Sequence, residues 1–94
     1  MTIIKRKTVE EYISLYPAAE PGLRVWLKVN QRSIFHNIME LKKAYPFADN
    51  LKGSDYICIN LKGNDFRLIV RYTWGKTVFV IDFLPHAEYT KKYC

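Results

Sequence analysis

The chain has 94 residues, of which 49% are apolar and 26% charged, and its formal net charge is +6. This length allows one domain with a modest core, so we expect residues 1–94 to form a single domain. The basic excess favours polyanionic partners, with RNA or DNA ahead of acidic proteins and membrane surfaces, although simple solubility would also explain it.

The cysteines and the apolar stretches indicate the cellular compartment of the protein. Cys58 lies in an apolar stretch and Cys94 is the last residue, so we expect free thiols in a reducing cytoplasm rather than a disulfide framework. Cys and His do not cluster at metal-ligand spacing, and we expect neither a structural metal nor a cofactor. The N-terminus lacks the apolar stretch of a signal peptide, and no apolar run approaches the roughly 18 residues that span a membrane.

The N-terminal residues predict a short edge strand followed by a helix. Ile3 and Ile4 form the strand. Thr8, with Glu11 three residues later, is typical of a capping box that opens a helix, and Pro17 ends it. One face of this helix carries apolar residues at helical spacing: Val9, Tyr12, Ile13 and Tyr16.

Two further helices are expected before residue 46. The second follows Pro21-Gly22 and runs toward Arg32, and its apolar side carries Leu23, Trp26, Leu27 and Asn30. We interpret Trp26 as a core residue rather than part of an aromatic ligand site. Asn37 and Glu40 are typical of an N-cap, which predicts a helix over 38–45. His36, in the connector before this cap, is interpreted as structural.

From Tyr56 onward the apolar period changes to two residues. The pattern predicts strands over 56–61, 66–73 and 77–84, joined by turns at 62–65 and 74–76. Both faces of the last two strands are largely apolar, which is typical of central strands covered on one side by helices. A short strand, then helices, then hairpins predicts an α+β fold, with helices on one face of a mostly antiparallel sheet.

Arg67 and Arg71 lie on the same face of the strand over 66–73. They are roughly 13 Å apart, about two phosphate steps along an extended single strand. A guanidinium in mid-strand is costly to bury without an anion, so this face must be open to water, paired with a carboxylate or occupied by ligand phosphates. Asp82 on the next strand could pair with either arginine, and that structural alternative stays open.

A polar group, His86-Ala-Glu88-Tyr89, follows the last strand. Histidine titrates near neutrality, and Glu88 and Tyr89 could relay or orient a proton, although a histidine here is also typical of a surface position or a helix cap. With a scissile phosphate between Arg67 and His86, a base would free the 2′-oxygen to attack the phosphorus and an acid would protonate the leaving 5′-oxygen. Carboxylates at two-metal spacing are not evident, which argues against a magnesium nuclease.

Three segments of the sheet half carry a recognisable pattern: 60–70, 78–81 and 86–89. Further matches lie at Lys7-Thr8, Tyr16-Pro17, Trp26 and 41–46. Together they resemble the HigB toxin family of bacterial toxin–antitoxin systems, a branch of the RelE-like messenger-RNA interferases. The resemblance implies a RelE-like fold, with two to three helices on one face of a small twisted sheet. It also implies cleavage of messenger RNA, typically on the translating ribosome, and a HigA-type helix-turn-helix antitoxin that links the toxin indirectly to operator DNA.

The resemblance also assigns site residues. Arg67 matches the strand arginine that acts on the scissile phosphate, and His86–Tyr89 matches the family segment Thr-His-x-Glu-Tyr-Asp, with His86 as the acid or base. Pro85 and Thr90 replace the first and last residues of that segment, and Pro85 stiffens the approach to the histidine. We expect these cations to bind RNA: Lys62, Arg71, Lys91 and Lys92. The role of Arg71 rests on strand geometry alone.

Three functional hypotheses follow. The leading one is a ribosome-dependent ribonuclease toxin. The second is a non-catalytic RNA- or ribosome-binding module with the same fold. The third is a protein whose main role is to bind its antitoxin in a DNA-bound repressor complex.

Overall fold

A computed structural model describes residues 1–62 and 65–93 of the chain. The strands of this part are β1 (Thr2–Ile4), β2 (Asp49–Asn50), β3 (Tyr56–Leu61), β4 (Phe66–Thr73) and β5 (Thr77–Pro85). They form one sheet in the order β1-β5-β4-β3-β2, in which β1 runs parallel to β5 and all other neighbours are antiparallel. The expected mostly antiparallel α+β fold is confirmed.

The helices of the described part lie on both faces of the sheet. They are α1 (Arg6–Leu15), α2 (Glu20–Arg32), α3 (Ile38–Ala44) and α4 (His86–Tyr93), with a 3₁₀ turn at Pro17–Ala19. The first three bury apolar side chains such as Val9, Trp26 and Leu41 in the main core against the sheet. The fourth, which the sequence pattern did not predict, packs on the opposite face through Tyr89 and Tyr93.

The start of α1 differs from the prediction. The helix begins at Arg6, and Lys5 before it adopts a left-handed conformation with φ of 66°. The amide of Thr8 donates to the Lys5 carbonyl across 3.0 Å, so Thr8 lies inside the first turn and the predicted capping box at Thr8 is wrong. The chain reverses direction immediately after β1. Because this reversal starts the helix at Arg6, the capping sequence at Thr8 does not determine where the helix begins.

The predicted cap of α3 is confirmed. The amide of Glu40 donates to Asn37 Oδ1 across 3.0 Å. The Glu40 carboxylate reaches back to the His36 backbone amide at 2.7 Å and to His36 Nδ1 at 3.0 Å. These two hydrogen bonds lower the pKa of Glu40, and they give His36 the structural contact expected of a connector residue.

A buried polar pair connects α2 to β4. Asn30 is fully buried, and its Nδ2 donates to the Trp26 carbonyl across 2.9 Å. The Tyr72 hydroxyl donates to Asn30 Oδ1 across 2.7 Å. Because both polar groups of the Asn30 amide have partners, the pair lies in the core without the penalty of an unsatisfied group. It anchors the strand that also carries Arg67.

The pairing of β4 with β5 sets the two faces of the sheet. In β4, Leu68 and Val70 face the main core, while Ile69 faces the side covered by α4, which confirms the predicted alternation. The register shifts between Ile69 and Val70, which pair with Asp82 and Val80. Ile81 is therefore the extra residue of a β-bulge, a feature that adds local twist to the strand.

Some sequence expectations concern residues outside the described part. The predicted turn over 62–65 includes Gly63 and Asn64, which lie outside the described residues. Cys94, for which a free thiol was expected, lies outside them as well. Cys58 is buried in β3. Over 1–62 and 65–93, no helix is long and apolar enough to cross a membrane.

Candidate active site

Arg67 lies in β4, opposite Asn60 of β3 and Leu84 of β5. Its side chain turns toward the end of β5, and only 7% of the residue is exposed. Its Nη1 donates to the Phe66 carbonyl across 3.3 Å. From the sequence, this side chain is expected to be open to water, paired with a carboxylate or occupied by ligand phosphates. The structure excludes the first of these for Arg67.

His86 is the direct neighbour of this guanidinium. Its Nδ1 lies 3.0 Å from Arg67 Nη2. A guanidinium only donates, so Nδ1 must accept and the ring proton of the neutral imidazole must sit on Nε2. His86 itself is exposed as the first residue of α4.

Backbone contacts fix the position of His86. Its amide donates to the Asp65 carbonyl across 2.9 Å, and its carbonyl accepts from Thr90 Oγ1 across 3.0 Å. Pro85 is the last residue of β5 and pairs with Phe66. The two departures from the family segment are therefore accommodated locally, since Pro85 ends a strand and Thr90 bonds within the helix.

Tyr89 completes the group that the structure brings together. The Arg67 Cζ lies 5.4 Å from the centroid of the Tyr89 ring, a distance typical of a cation–π contact. Tyr89 in turn packs against Tyr93, with ring centroids 5.8 Å apart. Arg67, His86 and Tyr89 thus meet at one end of the sheet, where β4, β5 and α4 converge.

The helix that delivers His86 and Tyr89 was missed by the sequence analysis. Its signals are faint but present: Tyr89 and Tyr93 are four residues apart, and Glu88 in the first turn and Lys91 in the last match the helix dipole,. No residue of α4 is fully buried. The apolar stripe that usually reveals a helix is therefore reduced to two tyrosines.

The other predicted site residues lie at exposed positions on α4, on β4 and next to the end of β3. Glu88 and Lys91 are exposed on α4. Lys62 is exposed next to the end of β3, with a left-handed φ of 51°. Arg71 is exposed on β4, with its Cζ 5.7 Å from the centroid of the Phe79 ring. The expected roles of Lys62, Arg71 and Lys91 as RNA-binding cations therefore depend on a substrate that extends beyond the Arg67–His86 pair.

Asp82 pairs with α4 and not with the arginines of β4. Its Oδ2 accepts from Lys92 Nζ across 2.7 Å and from the Tyr93 hydroxyl across 2.9 Å. Partial burial alone would raise the pKa of Asp82, but these hydrogen bonds outweigh it and lower the pKa below its ordinary value. Lys92, one of the expected RNA-binding cations, thus has its charge offset by a carboxylate.

The histidines, cysteines and carboxylates of the described part do not converge on a common point. In residues 1–62 and 65–93, no three of them are close enough to hold one metal ion. The groups that do meet are a cation, an imidazole and a phenol ring, which suit recognition of a phosphate and transfer of a proton.

Comparison with known proteins identifies the family. A family model described as the HigB toxin, a RelE-like toxic component of a toxin–antitoxin system, matches residues 19–92. A relative, the mRNA interferase HigB of Escherichia coli O6:H1 (strain CFT073), is 30% identical over 93 residues, which cover 97% of this chain and 90% of that protein. These matches confirm the resemblance found in the sequence: the chain belongs to the HigB family of RelE-like toxins.

Proposed function

We propose that this chain is the toxin of a HigB/HigA-type toxin–antitoxin system and cleaves messenger RNA by attack of a 2′-hydroxyl on the adjoining phosphate. The observation that carries the proposal is the 3.0 Å contact between Arg67 Nη2 and His86 Nδ1 beside the Tyr89 ring. This contact puts a fixed cation and a titratable group at one point. Family membership and the interferase name of the Escherichia coli relative support the same activity.

Arg67 is the proposed phosphate-binding group. A guanidinium donates two parallel hydrogen bonds to a phosphate more readily than any other side chain. One of its nitrogens is hydrogen-bonded to His86 Nδ1. A scissile phosphate that replaces His86 as the acceptor would leave the positive charge facing the oxygens on which negative charge develops during attack.

His86 and Glu88 are the proposed proton-transfer groups. Once released from Arg67, the exposed imidazole can bind a proton and donate it to the leaving 5′-oxygen. The Glu88 carboxylate, exposed in the first turn of α4, accepts the proton of the 2′-hydroxyl. The O2′–P bond forms as the P–O5′ bond breaks, and the products are a 2′,3′-cyclic phosphate and a 5′-hydroxyl.

Tyr89 positions the arginine in this scheme. Its ring lies against the guanidinium at 5.4 Å, so it limits the rotamers open to Arg67 while the phosphate enters. A side chain held in advance loses less entropy on binding. Tyr89 is thus proposed to act through Arg67 rather than on the substrate.

The proposed partners follow from the same function. The exposed cations Lys62, Arg71 and Lys91 would contact phosphates on either side of the cleaved bond, and Lys92 would contribute less because Asp82 offsets its charge. We place the activity on the translating ribosome in the cytoplasm, where messenger RNA is read. The neutralising partner would be a HigA-type helix-turn-helix antitoxin, through which the toxin reaches operator DNA.

The burial of Arg67 favours a second candidate function. An arginine residue that is only 7% exposed and packs against Tyr89 of α4 is also what a purely structural arginine would look like. In that case the protein is a non-catalytic RNA- or ribosome-binding module with the same fold. The two candidate functions differ in the effect of a His86 substitution that leaves the fold intact. Such a substitution abolishes activity only if the protein is a ribonuclease.

Inducible expression in a host without the antitoxin tests the proposal. We expect growth arrest together with new messenger-RNA 5′ ends mapped by primer extension. Both should be strongly reduced by Arg67→Ala and by His86→Ala, with Arg32→Ala, an exposed arginine of α2, as the matched control. Thermal melts of the purified variants separate lost chemistry from lost fold.

The outcomes discriminate between the hypotheses. Arrest without new RNA ends favours the non-catalytic module. The absence of arrest at verified expression contradicts the toxin assignment and leaves the antitoxin-bound repressor role.

A further inference from the structure

A row of side chains crosses the sheet on the face that carries Arg67. Tyr56 of β3 pairs with Arg71 of β4, Arg71 pairs with Phe79 of β5, and Phe79 pairs with Ile4 of β1. Paired residues of neighbouring strands point to the same side of a sheet. The row therefore presents an aromatic, a cation, a second aromatic and an aliphatic side chain in sequence across four strands.

This row is accessible to a ligand. Arg71 is exposed, Ile4 is 38% exposed, and Tyr56 and Phe79 are half-buried. The main core lies on the other face, where Ile3, Val78 and Val80 pack. Four strands at about 4.8 Å spacing make the row roughly 14 Å wide, with its aromatic rings about 10 Å apart.

Two cations converge on the Phe79 ring. Lys5 Nζ lies 5.3 Å and Arg71 Cζ 5.7 Å from its centroid. The salt bridges within 1–62 and 65–93 involve Arg24, His36 and Lys92, so neither of these two cations has a carboxylate partner there. The ring thus has two cations beside it that form no ion pair within the described residues.

Lys5 reaches this ring from a strained backbone position. Its φ of 66° is left-handed, a region that is unfavourable for a residue with a Cβ atom. Glycine would fit the turn without that cost. A lysine in place of the easier glycine gives the surface a second cation beside Phe79, and strain of this kind clusters where a side chain has a function.

We infer that the row formed by Tyr56, Arg71, Phe79 and Ile4, with Lys5 beside it, binds a single-stranded segment of the RNA substrate away from the cleaved bond. The inference rests on the proposed function and extends it. Bases stack on aromatic rings exposed on a sheet, and the cations between the rings bind the phosphates. An acidic peptide would use the cations but would leave both aromatic rings without a role, so RNA is the better match.

The row continues the substrate path of the candidate site. Arg71 lies four residues along β4 from Arg67, a rise of roughly 13 Å. Ile69 between them is fully buried beneath the tyrosines of α4, so the RNA must pass beside α4 rather than straight along the strand. A substrate that reaches both places is therefore longer than the nucleotides around the scissile phosphate.

Binding of an uncleavable oligonucleotide tests the inference. The probe is a fluorescent single-stranded RNA with 2′-O-methyl groups throughout, which lacks the attacking hydroxyl, and anisotropy gives its Kd. Phe79→Leu keeps the apolar bulk and removes the stacking face, and we expect the Kd to rise about tenfold. Arg71→Gln should reduce the slope of log affinity against log salt by about 0.7, the value for one lost phosphate contact on a single strand.

A Lys5→Gly variant tests whether Lys5 acts in RNA binding or only in the fold. We expect weaker RNA binding and a smaller salt slope, together with a thermal stability equal to or above that of the native protein because glycine relieves the left-handed turn. Lys28→Gln, an exposed lysine of α2, controls for the loss of one positive charge. Equal effects of Lys5→Gly and Lys28→Gln would show that only net charge matters and would overturn the role of Lys5.

The remaining outcomes are equally decisive. Suppose that the native protein cuts messenger RNA but that Phe79→Leu and Arg71→Gln bind the probe with the native Kd. The row then does not bind RNA, and the proposed function stands. If the native protein cuts no RNA but the variants lose affinity for the probe, the proposed function fails and the row remains an RNA-binding surface. Loss of antitoxin affinity with unchanged RNA affinity would assign the row to the antitoxin and overturn the inference.

Discussion

The Arg67 guanidinium donates to Nδ1 of His86 across 3.0 Å, and this contact fixes the tautomer of the histidine. The arginine comes from mid-strand β4, whereas the histidine opens α4, nineteen residues later. Because a guanidinium only donates, Nδ1 is the acceptor of this bond and the ring proton lies on Nε2. In the proposed mechanism, a phosphate that takes over this hydrogen bond would free Nδ1 for proton transfer.

A His86→Asn variant should separate the contact from the chemistry. The asparagine Oδ1 can replace Nδ1 as the acceptor for Arg67, but an amide does not titrate. We expect RNA cleavage to fall about 10²- to 10⁴-fold, the usual contribution of a general acid or base, while the melting temperature stays near the native value. Cleavage is measured by primer extension in a translation extract.

The second histidine of the chain supplies the matched control. His36 also bonds through Nδ1, to Glu40 at 3.0 Å, so His36→Asn makes the same chemical change away from the site. We expect native cleavage from this variant. Equal activity of the two variants would remove His86 from the chemistry and assign its proton-transfer role to Tyr89, Lys62 or Lys91.

An Arg67→Lys variant tests whether the planar fork is required. A lysine keeps the charge, but it cannot hold the Phe66 carbonyl, His86 Nδ1 and the Tyr89 ring in one fixed geometry,. We expect at least a tenfold loss of cleavage and a lower melting temperature, since the ammonium is left partly unsatisfied. Arg32→Lys on exposed α2 should change neither quantity. Full activity of Arg67→Lys would reduce the role of Arg67 to charge alone.

The strands were predictable because their signals are local. Residues 56–61 and 66–73 match β3 and β4 in full, and β5 extends one residue beyond the prediction, through Pro85. The turn at 74–76 is reinforced by Gly75, whose φ of 76° favours glycine and whose missing Cβ would lie 3.3 Å from His36 Cδ2,. Period-two alternation and turn chemistry reveal such elements without tertiary information.

The features that sequence reasoning missed depend on contacts between distant residues. The start of α1 is set by the reversal at Lys5, and the capping pattern at Thr8 is overridden by it. The burial of Arg67 depends on α4, whose own apolar stripe is only two tyrosines. The pairing of Asp82 with Lys92 and Tyr93 rather than with an arginine depends on the same helix. The unpredicted helix α4 therefore accounts for both differences at the site, the burial of Arg67 and the pairing of Asp82.

Tyr72→Phe tests the buried polar pair that holds β4 against α2. The Tyr72 hydroxyl donates to Asn30 Oδ1 at 2.7 Å, and both residues are buried. Burial raises the pKa of Tyr72, so the hydroxyl stays protonated and remains a donor. Its removal leaves a buried amide oxygen with one partner fewer, and we expect the free energy of unfolding to fall by about 1–3 kcal/mol in urea titrations.

Tyr45→Phe is the paired control for that experiment. The Tyr45 hydroxyl is buried and, within the described residues, has no hydrogen-bond partner. Burial raises its pKa to about 12. Its removal should leave the stability unchanged or slightly higher, because a buried polar group without a partner is itself a cost. A loss as large as that of Tyr72→Phe would show that both hydroxyls are satisfied.

Asp82→Asn tests the contact that holds α4 on the sheet, and its effect should depend on pH. The ammonium of Lys92 and the hydroxyl of Tyr93 donate to the Asp82 carboxylate, and the pKa of Asp82 is lowered. At neutral pH we expect the variant to unfold more easily, with about 1 kcal/mol from the bond to Tyr93. Asp55→Asn in an exposed turn should have little effect.

The sign of the pH dependence follows from the lowered pKa. A carboxyl group that is more acidic in the folded state stabilises the fold fully above its unfolded pKa of about 4 and loses that stabilisation as the pH falls through the folded value. The stability gap between the native protein and Asp82→Asn should therefore be constant around neutrality and close below about pH 4. Because α4 carries His86 and Tyr89, the variant should also lose cleavage at neutral pH. A gap that persists in acid would mean that Asp82 stabilises the fold through its shape and not through its charge.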